Sequence, residues 1–187
     1  KMHESNYMLV HHLLRFARKQ GVRKMIQIGS SSEYGATNEV RHEDLECEPT
    51  NVYESTKLAA TKACLAASFA DDLDICIARP FSLYGSGDKP RKLIPSLYRS
   101  YIEHRSIDLY PGAHDWLYID DFIDGLVSML GAPREVTKGQ VFNFGTDVSS
   151  SNLAVVAALE AALGSKLDIR YKTGERYHAH DVDNWVA

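Results

Sequence analysis

Tyr53 and Lys57 stand four residues apart, so on a helix their side chains share one face about a turn apart. A free tyrosine titrates near ~10 and makes a poor base at neutral pH. A neighbouring ammonium favours the phenolate, and such a pair can move a proton to or from a substrate hydroxyl or carbonyl. The spacing alone is weak, because an ordinary exposed helix pair has it too; its context decides. Upstream, the run Gly29-Ser30-Ser31-Ser32-Glu33-Tyr34-Gly35 closes a short apolar segment. A hydroxyl at the carboxyl end of a parallel strand points into the crevice where such sheets bind ligands. Ser30 is therefore a candidate donor to the same oxygen that Tyr53 protonates. The plain alternative is a serine-rich turn.

The elements that must position these residues are readable from periodicity. Met8, Leu9, Leu13, Phe16 and Ala17 recur at helical spacing up to a stop at Gly21, predicting an amphipathic helix. Residues 24–30 read as a strand, and 51–69 as a helix whose alanines (Ala59, Ala60, Ala63, Ala66, Ala67) suit close packing on another helix. Residues 74–78 read as a buried strand, 84–90 as a Gly/Pro-rich loop, 92–104 as a helix and 107–110 as a strand. An extended stretch over 116–119 leads to a helix ending at Leu130, with Asp120 and Asp121 as its caps. A strand at 141–144, a helix at 152–163 stopped by Gly164 and a strand at 167–171 complete the pattern. This alternation predicts an α/β fold with a mainly parallel sheet.

Composition excludes several classes. The net charge of −4 and scattered basic residues argue against a nucleic-acid surface. Arg15, Arg18, Lys19, Arg23 and Lys24 cluster at a helix end, where cations complement the dipole. No apolar run is long enough to span a membrane, and residues 1–6 do not resemble a secretory signal. Cys47, Cys64 and Cys76 are odd in number and lack metal-like spacing, which points to a reducing, cytoplasmic setting. Cys64 and Cys76 sit among apolar residues as core packing.

Five blocks in order then carry a resemblance: Ser30 to Gly35, Pro49 to Lys57, Arg79-Pro80-Phe81-Ser82-Leu83-Tyr84-Gly85, Asp115 to Asp121, and Phe142-Asn143-Phe144-Gly145. Together they resemble the extended short-chain dehydrogenase/reductases of the NAD(P)-dependent nucleotide-sugar epimerase/dehydratase family, over most of the chain. The resemblance implies an incomplete Rossmann-like doubly wound parallel sheet with a small C-terminal substrate lobe. Residues 1–90 would be the second half of the cofactor domain, and 91–187 mostly the substrate lobe, with 117–145 returning to the cofactor domain. It makes Ser30, Tyr53 and Lys57 the catalytic set, which also contacts NAD or NADP, and sets Phe81 against the nicotinamide. It assigns Ser31 and Ser82 to the substrate. A homodimer through the helices at 2–20 and 51–69 is implied as well.

The departures matter equally. The family opens with a glycine-rich strand-turn-helix that holds the cofactor pyrophosphate by close backbone approach and free amides. The glycines here offer no such spacing, and the following acidic residue is missing too. The chain does not begin with Met and ends at Trp185-Val186-Ala187 without a closing element, so both ends read as cut; on its own it is expected to bind NAD(P) poorly. A truncated form, one part of a split protein and a non-catalytic remnant are the readings this leaves open. The acid pair of the sugar 4,6-dehydratases is replaced by Ser31 and Ser32, and Glu33 is expected one position late on an extended segment. An epimerase or 4-ketoreductase therefore fits better than a dehydratase. His114 stands where many members have a phosphate-clamping arginine. Either the phosphate is held elsewhere, with Arg176 a candidate, or the substrate differs, a non-sugar carbonyl included; a loop histidine without a ligand role weighs equally. His178, His180, Asp181 and Asp183 crowd together without regular metal spacing and read as a solvated tail.

Overall fold

The computed structural model describes residues 2–37 and 39–173. Its centre is a parallel sheet in the order β1-β2-β6, with β1 at Met25–Ile28, β2 at Ile75–Pro80 and β6 at Val141–Phe144. Pairing of Ile28 with Ala78 and of Pro80 with Phe144 brings the three carboxyl ends to one side.

β2 explains the layering. Its alternate side chains point to opposite faces. Ile75 and Ile77 pack under Val10 and Leu14 of α1 (Leu9–Gln20) and under Ala60, Cys64 and Ala67 of α2 (Val52–Ala70). Cys76 and Ala78 meet Leu117, Phe122 and Met129 on the other face. The last two belong to α4 (Ile119–Gly131), and Leu117 to β5 (Ala113–Tyr118). A continuous apolar strand is thus buried on both sides, as a doubly wound sheet requires.

Around this sheet lie β3 (Ser82–Tyr84), which pairs parallel with β5, and β7 (Ser149–Ser151), which pairs antiparallel with β5. A separate apolar cluster joins Leu97 of α3 (Leu93–Ile102), Leu109 of β4 (Ile107–Leu109) and Val156 of α6 (Asn152–Leu163). β4 pairs with β8 (Ile169–Tyr171), and α5 is a short turn at Arg134–Thr137.

The ends of α1, α2 and α6 follow their sequence signals. Asn51 caps α2 by accepting from the Glu54 amide at 3.1 Å, and Ser151 caps α6 through the Ala154 amide at 3.1 Å. Gly21 closes α1 in the left-handed region at φ 62°.

α1 buries Val10, Leu14 and Ala17, whereas Leu9, Leu13 and Phe16 of its apolar pattern are 50%, 42% and 58% exposed. The helix has two apolar stripes, and the sheet takes the one that meets the small side chains of α2. Two expectations are corrected, the caps of α4 and the extended segment after β1. Asp120 and Asp121 lie in the first turn of α4, not at its cap, which is Tyr118 with no capping side chain. They still complement the positive end of the helix. Residues 31–34 are a 3-10 turn rather than an extended segment.

Candidate active site

Ser30 follows β1 by two residues, has extended backbone and caps the 3-10 turn Ser31–Tyr34. Its Oγ accepts from the Ser32 amide at 3.2 Å, and its own amide donates to Glu33 Oε1 at 2.9 Å.

α2 brings Lys57 to the same strand end. Lys57 Nζ donates to the Ile28 carbonyl at 2.5 Å, two residues before Ser30. Tyr53 lies one turn earlier on α2 and is 42% exposed. Burial lowers the Lys57 pKa below its usual value, while the negative charge of Glu33 works the other way.

That direction has a consequence for stability. Because the folded pKa lies below the unfolded one, the ammonium costs stability at neutral pH. The cost disappears as pH rises through the depressed pKa toward the ordinary 10.5. Wild type is thus expected to gain stability relative to Lys57→Met as pH rises through that window. Paired urea melts at pH 7 and just below 10 check this; a gap that widens in favour of the variant refutes it.

Phe81 follows β2, is buried, and donates its amide to the Phe144 carbonyl at 2.9 Å, so it stands at the same carboxyl edge. Ser31 is buried beneath the turn. β3 and β5 bring Ser82 and His114 together, with Oγ and Nδ1 3.4 Å apart and the His114 ring edge-on to Trp116 at 5.3 Å. Arg176, like the histidines and aspartates of 178–183, lies outside the described residues.

Two structural supports escaped sequence reading. Glu33 is wholly buried and paired with Arg79, whose Nε lies 3.0 Å from Oε2. The Arg79 guanidinium also covers the Tyr34 ring at 4.7 Å. Burial works against the Arg79 cation, yet Glu33, Tyr34 and Cys47 outweigh it and raise its pKa. Asp115 is the second: its carboxylate accepts from the Thr146 amide at 2.7 Å, the Thr146 hydroxyl at 2.6 Å and the Asp147 amide at 3.0 Å. It pins the loop after β6 beside His114. Cys64 is an inert core thiol, pushed up to about 12 by burial.

A parallel sheet wound on both faces, with its polar residues gathered at the carboxyl ends of the strands, defines a Rossmann-like α/β protein. The chain belongs to the NAD dependent epimerase/dehydratase family, which matches residues 1–145. It is 25% identical over 169 residues to a Bacillus subtilis protein named as an uncharacterized UDP-glucose epimerase, covering 89% of this chain and 53% of that one. Among solved structures, dTDP-glucose 4,6-dehydratase of Bacillus anthracis in complex with NAD is similar at TM-score 0.83 and 26% identity, over 93% of this chain and 57% of that one. UDP-glucuronic acid 4-epimerase of Bacillus cereus, in complex with UDP-glucuronic acid and NAD, gives TM-score 0.81 at 28% identity, over 89% and 54%. The chain spans about half the length of the curated relatives it matches.

Proposed function

We propose that these residues serve an NAD(P)-dependent epimerase or 4-ketoreductase acting on a nucleotide-linked sugar. The observation that carries this reading is the docking of Lys57 on the Ile28 carbonyl, beside Ser30 and one helical turn from an exposed Tyr53. That donor set fits the nicotinamide end of NAD or NADP, which Ser30, Tyr53, Lys57 and Phe81 would hold. The bound cofactor supplies the acceptor and donor of hydride for the sugar carbon. Oxidation at that carbon requires the hydroxyl proton to leave. Tyr53 takes it and later returns it, Ser30 hydrogen-bonds the same oxygen, and Lys57 favours the phenolate. Ser31, Ser82, His114 and Arg176 are the proposed substrate contacts, with the β4–β8 region as the substrate lobe.

A 4,6-dehydratase is the second reading, favoured by likeness to the Bacillus anthracis structure. Against it, Ser31 and Ser32 carry no carboxyl group, and Glu33 is engaged by Arg79. A homodimer fits the exposed apolar residues Leu9, Leu13 and Phe16 of α1 and Val52 of α2. A cytoplasmic setting fits three free cysteines, and no helix among the described residues is long and apolar enough to cross a membrane.

Incubating the whole protein with NAD or NADP and UDP-, GDP-, CDP- and dTDP-hexoses tests the activity. An epimerised or 4-reduced sugar nucleotide is expected. A 4-keto-6-deoxy product would assign the second reading, and no turnover despite cofactor binding would refute both.

A further inference from the structure

The buried carboxylate of Glu33 meets donors from three separate elements. Its Oε1 accepts from the Ser30 amide after β1 at 2.9 Å and from Thr61 Oγ1 of α2 at 3.1 Å. Its Oε2 takes Arg79 Nε of β2 at 3.0 Å. Thr61 lies one turn beyond Lys57, on the face of α2 that also bears Tyr53. Gly29 permits this approach, since a Cβ there would stand 2.6 Å from Oε1. Glu33, Thr61 and Arg79 are each at least nine-tenths buried.

Stability alone does not account for such an arrangement. A buried ion pair loses two hydration shells, and an apolar pair of similar volume is often at least as stable. What an apolar pair lacks is direction. The carboxylate fixes the turn at Ser30, the pitch of α2 and the end of β2 with bonds of defined length.

We propose that Glu33 is the positioning residue of this site, holding the Ser30 hydroxyl in register with Tyr53 and Lys57 through its bonds to the Ser30 amide, Thr61 and Arg79. The proposal rests on the acid–base reading of Ser30, Tyr53 and Lys57. Glu33 acts through them and touches neither substrate nor cofactor. Its charge also supports the cationic form of Lys57.

The test uses Glu33→Met/Arg79→Met in the whole protein, which removes both charges and leaves apolar side chains of useful volume. Its thermal midpoint is expected close to wild type. kcat is expected to fall by about 10- to 100-fold, the scale of a misplacement near 1 Å. KM for the sugar nucleotide should hold within about threefold, because the lost interaction belongs to the transition state. Amide exchange at Ser30 and Ser32, read by NMR without any turnover, should quicken by about tenfold. A folded double variant with kcat within twofold of wild type and unchanged exchange overturns the proposal. If the double variant does not fold, Glu33→Asp decides. It keeps a charge for Arg79 but draws the carboxylate back from the Ser30 amide, so kcat should fall at constant KM, and an unchanged kcat refutes the idea. Tyr53→Phe run in parallel separates the two levels. Full activity there removes the acid–base reading itself and the positioning role with it. An inactive Tyr53→Phe beside an active, folded double variant removes only the role of Glu33.

Discussion

Tyr53→Phe is expected to lower kcat of the whole protein by roughly 10²- to 10⁴-fold, the usual contribution of a positioned acid–base group. The ring stays and only the hydroxyl leaves. Tyr53 is 42% exposed in the first turn of α2 and belongs to none of the three apolar clusters, so loss of its hydroxyl leaves them untouched. Stability should therefore change by less than about 0.5 kcal/mol. KM for the sugar nucleotide should hold, because proton transfer is an interaction of the transition state. Cofactor titration and a thermal melt of the variant establish that only chemistry was lost. A variant that turns over at the wild-type rate would transfer the acid–base role to another residue, and the reading of this site would fail. The exposure of Tyr53 distinguishes this outcome from those of buried substitutions, where lost activity and lost folding are confounded.

The parts of the site legible in the sequence are those encoded within one turn or one strand. The step from Tyr53 to Lys57 is a helix period, and Ser30 directly follows the apolar run that becomes β1. Asn51 and Gly164 announce helix ends by their own chemistry. What sequence reasoning missed depends on partners far along the chain. Glu33 meets Arg79 across 46 positions, and no local rule pairs them. Three serines and a glutamate have no apolar period to mark their turn; the capping box that Ser30 and Glu33 form settles the conformation. β3 and β7 are three residues each, too short to show alternation, and exist because β5 lies between them. On α1, the choice between two apolar stripes was made by α2, whose Ala60, Cys64 and Ala67 leave room only for a close partner such as Val10 or Leu14. Local periodicity sets the existence of an element, and packing sets which face it buries.

Arg79→Met is expected to have the largest effect on stability, because it leaves the Glu33 carboxylate buried without its cation. Glu33 is 0% exposed and Arg79 4%, so water cannot replace the lost partner. Breaking a buried pair from one side typically costs about 3–5 kcal/mol. For a domain of this size that is on the order of a 10 °C fall in the melting midpoint. The Tyr34 ring would also lose the guanidinium that covers it, although its hydroxyl keeps Asn143 Oδ1 at 2.9 Å. The companion Glu33→Met/Arg79→Met should recover most of the loss, since no uncompensated charge remains. The four proteins form a double-mutant cycle whose coupling term should exceed about 2 kcal/mol for two residues in direct contact. Urea melts of all four at neutral pH measure it. Additive effects would mean that each side chain contributes by packing alone, and the ion pair would then be incidental to the fold. A large coupling with a fully recovered double variant means that the pair is dispensable for stability. Any activity that the recovered double variant still lacks must then be assigned to direction, which a methionine at position 33 cannot supply.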